Sequence, residues 1–533
     1  MKYNSFLIIG TVLLAACAPT SLNQMGNGGM MHGNQGMMGN NQTQTTDLLP
    51  RRNEDPSSLP EATSSSVIEV QDGQTISLNP TLVRKTINGK EIAMYGYNGE
   101  IPGPLLKVKQ GSAFTVNVTN NIDLPTTIHW HGIRLDNASD GTDGVTQEVI
   151  APGASYQYKI KVPDEGIYWY HTHVREDLEQ PMGLYGNILV TPADTKAYSP
   201  VNHDEALAVT DLLLDRNGDP VPYGTSQADH TLMGRFGNIM LVNGQTDYKL
   251  DVSKGDVFRF YLTNTANTRT FRFNFGGAKM KLVGGDNGRY EKEQFVDSVI
   301  LSPSERAIVD VLFEKPGNYT FSHQTPDRSY TLGAVTVSNN AVATSYATQF
   351  AQLASHADVS KDIDAFRSSF DKAPDYTLVL DMDMMGNGMM GGGGMMAEIP
   401  KDGIEWEDAA GMMNTTMMGN MMQWKMIDQA TGATNKDLVY TAKVGDRVKI
   451  RIINKKDAPH PMQHPIHFHG QRFLVLSDNG VQTKDFVWKD TVLVPAGHTV
   501  DILLDASNVG DWMFHCHIAE HLSNGMMGLL KVQ

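Results

Sequence analysis

One ten-residue pattern occurs three times in this chain and constrains its fold more than any other feature. Gly111-Ser-Ala-Phe-Thr-Val-Asn-Val-Thr-Asn120 returns as Gly255-Asp-Val-Phe-Arg-Phe-Tyr-Leu-Thr-Asn264 and as Gly445-Asp-Arg-Val-Lys-Ile-Arg-Ile-Ile-Asn454. A second pattern travels with it. Pro152-Gly153 leads to Gly166-Ile-Tyr-Trp-Tyr-His171, Pro303-Ser304 to Gly317-Asn-Tyr-Thr-Phe-Ser322, and Pro495-Ala-Gly497 to Gly510-Asp-Trp-Met-Phe-His515. Self-similarity at fixed spacing marks three copies of one unit. Within the copies apolar and polar residues alternate over short runs, as in Thr115-Val116-Asn117-Val118, between Gly, Pro and Asn turns. That is the pattern of half-buried strands in a sandwich or barrel, so the predicted class is all-β. Domains are expected at 66–195, 196–340 and 375–533. Residues 341–374 read as a linker with a helical apolar period around Phe350, Leu353 and Phe366, and 382–426 as a Gly- and Met-rich insertion in the third domain.

Ten of the seventeen histidines fall in four clusters: His129-Trp-His131, His171-Thr-His173, His464-Pro-Ile-His467-Phe-His469, and His515-Cys516-His517 followed by His521 and Met526. Side chains i and i+2 of a strand share a face. Each His-x-His therefore presents two imidazoles to one side. Four such pairs, two from the first domain and two from the third, supply the eight imidazoles that a three-copper cluster needs. Cys516 points away from His515 and His517. His464, at an odd offset from His467, falls on the same far face. A thiolate, two imidazoles (His464, His521) and a weak thioether (Met526) make a blue-copper electron-transfer site. The middle repeat acts as a control. It reads Phe271-Arg-Phe273 where the first reads His129-Trp-His131, and Ser322 where the first reads His171. The scaffold repeats without the ligands, and the nearby His323 reads as structural.

These motifs resemble those of the multicopper oxidases, the family of laccases and bacterial cuprous oxidases, over about residues 66–533. The resemblance implies three cupredoxin-like Greek-key domains and four copper ions. By motif, His464, Cys516, His521 and Met526 would hold type 1 copper, and His129 and His467 type 2. His131, His171, His173, His469, His515 and His517 would hold the type 3 pair. It also implies one-electron oxidation of a reductant and reduction of O2 to water. Asp140, in a loop similar to the family's acidic loop, is the candidate proton relay. Some members place an acid directly after the residue equivalent to His521, whereas this chain has Leu522.

Fourteen of the 29 methionines lie between Met382 and Met426, mostly as pairs among Gly and Asn. Thioethers are soft ligands that select Cu(I). The segment resembles the methionine-rich insert of bacterial cuprous oxidases, so Cu(I) is the expected reductant, with phenols or other small organic reductants the alternative. A non-catalytic copper store is disfavoured by the complete ligand set. Met413, Met417 and Met421, spaced to stack on one helix face, join Met462 and His460 as candidate substrate ligands; His460 stands where the family's site has an Asp.

The formal charge of -16 and the lack of any basic block argue against nucleic acid. Residues 1–16 read as a signal peptide. Lys2 precedes the apolar run Phe6 to Ala16, and Leu14-Ala15-Ala16-Cys17 resembles a bacterial lipobox. Acylation of Cys17 would anchor the protein to a membrane on the periplasmic side, at the outer membrane in a Gram-negative cell. Residues 17–65 are expected to be a disordered tether. The protein is expected to act as a monomer.

Overall fold

A computed structural model describes residues 49–50, 55–225, 228–384, 399–411, 413–414 and 422–533. Among them the chain is mostly β, in sheets consistent with three cupredoxin domains. The repeated pattern is one strand in each domain: Ala113–Thr119, Val257–Asn264 and Asp446–Asn454. Its opening glycine takes positive φ each time, 84° at Gly111 and 89° at both Gly255 and Gly445, a turn that a side chain would strain. Its closing asparagine is a buried clamp. The amide of Asn120 donates to the carbonyls of Leu124 and Ile150, that of Asn264 to Arg269 and Leu301, and that of Asn454 to Met462 and Val494. Each Asn thus fixes the loop leading to the strand that follows, which is a ligand strand in the first and third domains.

The second and third domains share one strand order. A six-stranded sheet in the second runs Ile239–Val242, His203–Leu212, Val257–Asn264, Arg306–Leu312, Lys279–Gly285, Gly288–Val296. Its counterpart runs Met422–Asp428, Tyr376–Met384, Asp446–Asn454, Thr499–Ala506, Arg472–Asp478, Val481–Gln482. Each faces a five-stranded sheet, and each domain has its own apolar core. Phe271 and Phe273 lie in the second core. They stack at 5.3 Å, with Phe273 also against Phe321, so the positions that carry histidines in the first domain carry core packing here. Each buried phenylalanine contributes roughly 1.5–3 kcal/mol of transfer free energy.

Three expectations change. Residues 55–65, assigned to the tether, are ordered: Pro56–Ser58 form a short helix and Glu61 pairs with Arg84. Backbone pairing of this segment with the first domain outweighs its polar composition. The linker is docked on the third domain through a helix, Ala357–Arg367, whose Ile363 and Phe366 pack with Phe486 and Trp488. Leu353, read as part of the apolar stripe, is exposed. The ends of the Met-rich insertion are strands, Tyr376–Met384 paired antiparallel with Met422–Asp428. Met382, Met422 and Met426 are core residues there. No helix among the described residues is long and apolar enough to cross a membrane.

Candidate metal centre

Strand pairing brings the histidines together. His129–His131 pairs antiparallel with Gly166–His171, setting His129 opposite His171. Trp130, on the other face, packs against Tyr158 and Tyr170 and keeps the two imidazoles aimed the same way. In the third domain His464–Phe468 pairs with Gly510–Cys516, so that His467 lies opposite His515 and Ile466 opposite Cys516. Cys516 is therefore on the His464 face, as alternation requires.

Eight imidazoles from the two domains converge in one buried site. His131, His171 and His517 bring their nitrogens within 4.8 Å of one another, and so do His173, His469 and His515. His129, His131 and His467 form a third such group. Six of the eight rings, those of His129, His131, His171, His467, His469 and His515, are oriented by a hydrogen bond at the far nitrogen. His129 Nδ1 donates to the Asp140 carbonyl at 2.8 Å, His467 Nδ1 to the Asp490 carbonyl at 2.8 Å, His171 Nδ1 to the Thr172 carbonyl at 2.6 Å, and His515 Nδ1 to the Cys516 carbonyl at 2.9 Å. His131 is reversed: its Nε2 donates to Asp490 Oδ1 at 3.0 Å and leaves Nδ1 free. Such contacts fix tautomer and aim.

The donor set fits copper. The inward nitrogens of His129, His131, His171, His173, His467 and His517 are buried without a hydrogen-bond partner. His469 and His515, whose Nδ1 protons are committed elsewhere, face each other through Nε2 at 3.0 Å. Two lone pairs this close need a cation between them. Burial first, then neighbouring imidazoles, holds His129, His131, His171, His469, His515 and His517 well below the ordinary histidine range, in the neutral form that binds metal.

A second group lies on the other face of the strand. His464 Nδ1 is 3.5 Å and His521 Nδ1 3.7 Å from Cys516 Sγ, and the two nitrogens are 3.3 Å apart. Burial lowers His464 to about 3 and raises the Cys516 thiol far above its usual value. Only a bound metal would hold a thiolate there. Met526 is buried beside them, its backbone bonded to both Cys516 and His521.

Three family models, each described as multicopper oxidase, match residues 81–195, 207–349 and 407–533. The chain belongs to the multicopper oxidase family. It is 26% identical to multicopper oxidase mco of Staphylococcus aureus, over 82% of this chain and 83% of that one. It is 27% identical to multicopper oxidase MmcO of Mycobacterium tuberculosis, over 85% and 86%. The solved multicopper oxidase of Campylobacter jejuni, described as a metallo-oxidase, superposes with a TM-score of 0.67 at 24% identity, covering 91% of this chain and 99% of that one.

In this oxidase Asp140 is buried between two imidazoles of the cluster, those of His129 and His469. Its Oδ2 accepts from His469 Nδ1 at 2.9 Å and Thr142 Oγ1 at 2.5 Å, and Oδ1 lies 3.5 Å from His129 Nδ1. Met462 is buried in the core cluster that contains Cys516. His460 is buried with its Nε2 unpartnered. Met413 is exposed. Met417, Met421 and Cys17 lie outside the described residues.

Other side chains border the metal centre. The Trp424 indole lies 4.8 Å from the His464 ring and 4.4 Å from the His521 ring, centroid to centroid, and donates through Nε1 to the Thr231 carbonyl. Trp169 stacks on His171 at 4.1 Å. Leu522 is buried where some relatives carry an acid, but Glu520 lies on the other side of His521, pushed up to about 7 by burial. Glu176 Oε1 is 3.3 Å from His173 Nε2 without hydrogen-bond geometry, and burial raises its carboxyl well above the usual range. Glu176 lies in the run Glu176-Asp-Leu-Glu179, which reads in sequence as an ordinary polar surface.

Proposed function

We propose that this multicopper oxidase takes its electrons from Cu(I), outside the cytoplasm, and passes them to O2. His464, Cys516, His521 and Met526 would hold the type 1 ion and His129 and His467 the type 2 ion. The triads His131, His171, His517 and His173, His469, His515 would hold the type 3 pair, matching the two groups that the fold assembles. Bound copper supplies one-electron transfer at the first site and four-electron reduction of O2 to two waters at the second. The chain supplies the connection, since Cys516 is bonded directly to His515 and His517. Asp140, touching ligands of both kinds, would carry protons inward. Asp140→Asn should slow reoxidation of the reduced enzyme by O2 while leaving reduction of the blue centre by substrate intact in stopped-flow. Equal slowing of both would make Asp140 structural.

The observation that supports Cu(I) is the closure of the type 1 edge. His464 and His521 are 1% and 0% exposed, beneath Trp424. A planar phenol cannot reach an imidazole edge covered this way, whereas a small soft ion can be delivered by thioethers and by the unpartnered His460 Nε2. The test is steady-state oxygen uptake with Cu(I) and with a bulky phenol on one copper-loaded preparation. A higher kcat/KM for Cu(I) is expected. A preference for the phenol would make the protein a laccase in the substrate sense.

A further inference from the structure

The second domain holds none of the histidines of the metal centre, yet one of its side chains reaches it. Arg306 opens the strand Arg306–Leu312 and is fully buried. Its guanidinium meets the Asp490 carboxylate as a fork, Nη1 to Oδ1 at 2.7 Å and Nη2 to Oδ2 at 2.6 Å. The same Oδ1 accepts from His131 Nε2 at 3.0 Å and from Thr491 Oγ1 at 2.9 Å. The Asp490 carbonyl accepts from His467 Nδ1 at 2.8 Å, and Thr491 Oγ1 lies 3.2 Å from that nitrogen. One dipeptide therefore aims two rings, His131 from the first domain and His467 from the third, which stack at 3.7 Å and 19°.

The rest of Arg306 is tied down as firmly. Nε donates to the Ile167 carbonyl in the first domain at 2.9 Å, Nη1 to the Ser304 carbonyl at 3.1 Å, and its own backbone N–H to Asp286 Oδ1 at 2.8 Å. It joins all three domains at one point. The chain beside it leaves room for nothing else: a Cβ on Gly132, which has φ of +83°, would stand 2.2 Å from Asp490 Oδ2 and 2.8 Å from Arg306 Nη2.

We propose that Arg306 is a positioning residue for the copper cluster, acting through Asp490 to hold His131 in its reversed tautomer with Nδ1 toward the metal. The argument is geometric. A buried carboxylate with one fork partner has a fixed plane, and a fixed plane gives its other acceptor direction to a single imidazole N–H. Remove the fork, and Asp490 is free to turn and His131 to offer either nitrogen. Partners beyond the ligands cost roughly 10–100-fold in metal affinity or activity when lost. A lysine would not replace the fork, because an ammonium is a point charge that cannot span both carboxylate oxygens and the Ile167 carbonyl.

The second domain also supplies the control. Arg259 forms a similar buried fork with Asp310, at 2.7 and 2.9 Å, and touches no ligand. Arg306→Met, Arg306→Lys and Arg259→Met would be copper-loaded as full-length proteins and compared by copper stoichiometry, visible absorption and electron paramagnetic resonance. Both Arg306 variants should keep the blue absorption but lose cluster copper, with an altered type 2 resonance and a weakened type 3 band; Arg259→Met should keep all three signatures. Should Arg306→Met not accumulate folded, the Arg306→Lys spectrum decides alone. Full stoichiometry with unchanged resonance in an Arg306 variant would overturn the proposal. The same cluster loss in Arg259→Met would also overturn it, since general weakening of the domain would then be the cause.

Discussion

Trp424 shows how one side chain sets what a metal centre can see. Its ring packs against two imidazoles at once, and its N–H is held by the Thr231 carbonyl, so the indole is fixed against the site. Trp424→Ala should raise kcat/KM for bulky phenols, measured by oxygen uptake, at a stability cost of about 3–5 kcal/mol. No gain on phenols would show that access is controlled elsewhere. Glu179 offers a different residue-scale test. It is buried, accepts from Thr126 and Thr172 hydroxyls, and is pushed up to about 8 by desolvation. The folded protein keeps this proton where an unfolded chain has released it. The stability it contributes is full in acid, falls as pH rises from the ordinary glutamate range, and is lost by about pH 8. Glu179→Gln should flatten that decline, as read by denaturant unfolding of the wild type and variant across this range.

At the scale of elements, strand alternation made much of the site legible. It placed each His-x-His pair on one face and Cys516 with His464 on the other, and the pairing of His464–Phe468 with Gly510–Cys516 follows that arithmetic. It could not reveal Arg306, Asp490 or Trp424, because their partners are more than a hundred residues away or on another sheet and no local period marks them. It also misjudged the insertion's ends. A methionine pair reads the same whether it is a soft ligand or core, and Met382, Met422 and Met426 proved to be core because two strands converge there. Five of the remaining methionines, Met385, Met389, Met390, Met395 and Met396, can be tested apart from that hairpin. Replacing residues 385–398 with a short Gly-Ser bridge leaves the Tyr376–Met384 and Met422–Asp428 pairing in place. Cu(I) oxidation should fall while the blue absorption stays. Unchanged Cu(I) turnover would remove these residues from the substrate path.

For the molecule as a whole, the repeat announced the three-part architecture, and its glycine and asparagine have the same task each time, a positive-φ turn and a buried clamp. Composition misled at residues 55–65, because edge pairing to an existing domain needs few apolar residues. The expected lipid anchor is open to a direct experiment. Cys17→Ser should release the protein from the membrane fraction and abolish fatty-acid labelling, while a wild type that is already soluble and unlabelled would discard the anchor.

The cluster's imidazoles come from His129 through His173 and from His467 through His517, with the whole second domain spun out between them. The first four are synthesised long before the last four, since the second pair of strands lies near the end of the chain. A chain that stops before His467 carries four of these imidazoles, and one that stops before His515 carries six. The eight-imidazole site is therefore closed only by residues within the last seventy or so of the chain, and its two halves can meet only once the third domain exists.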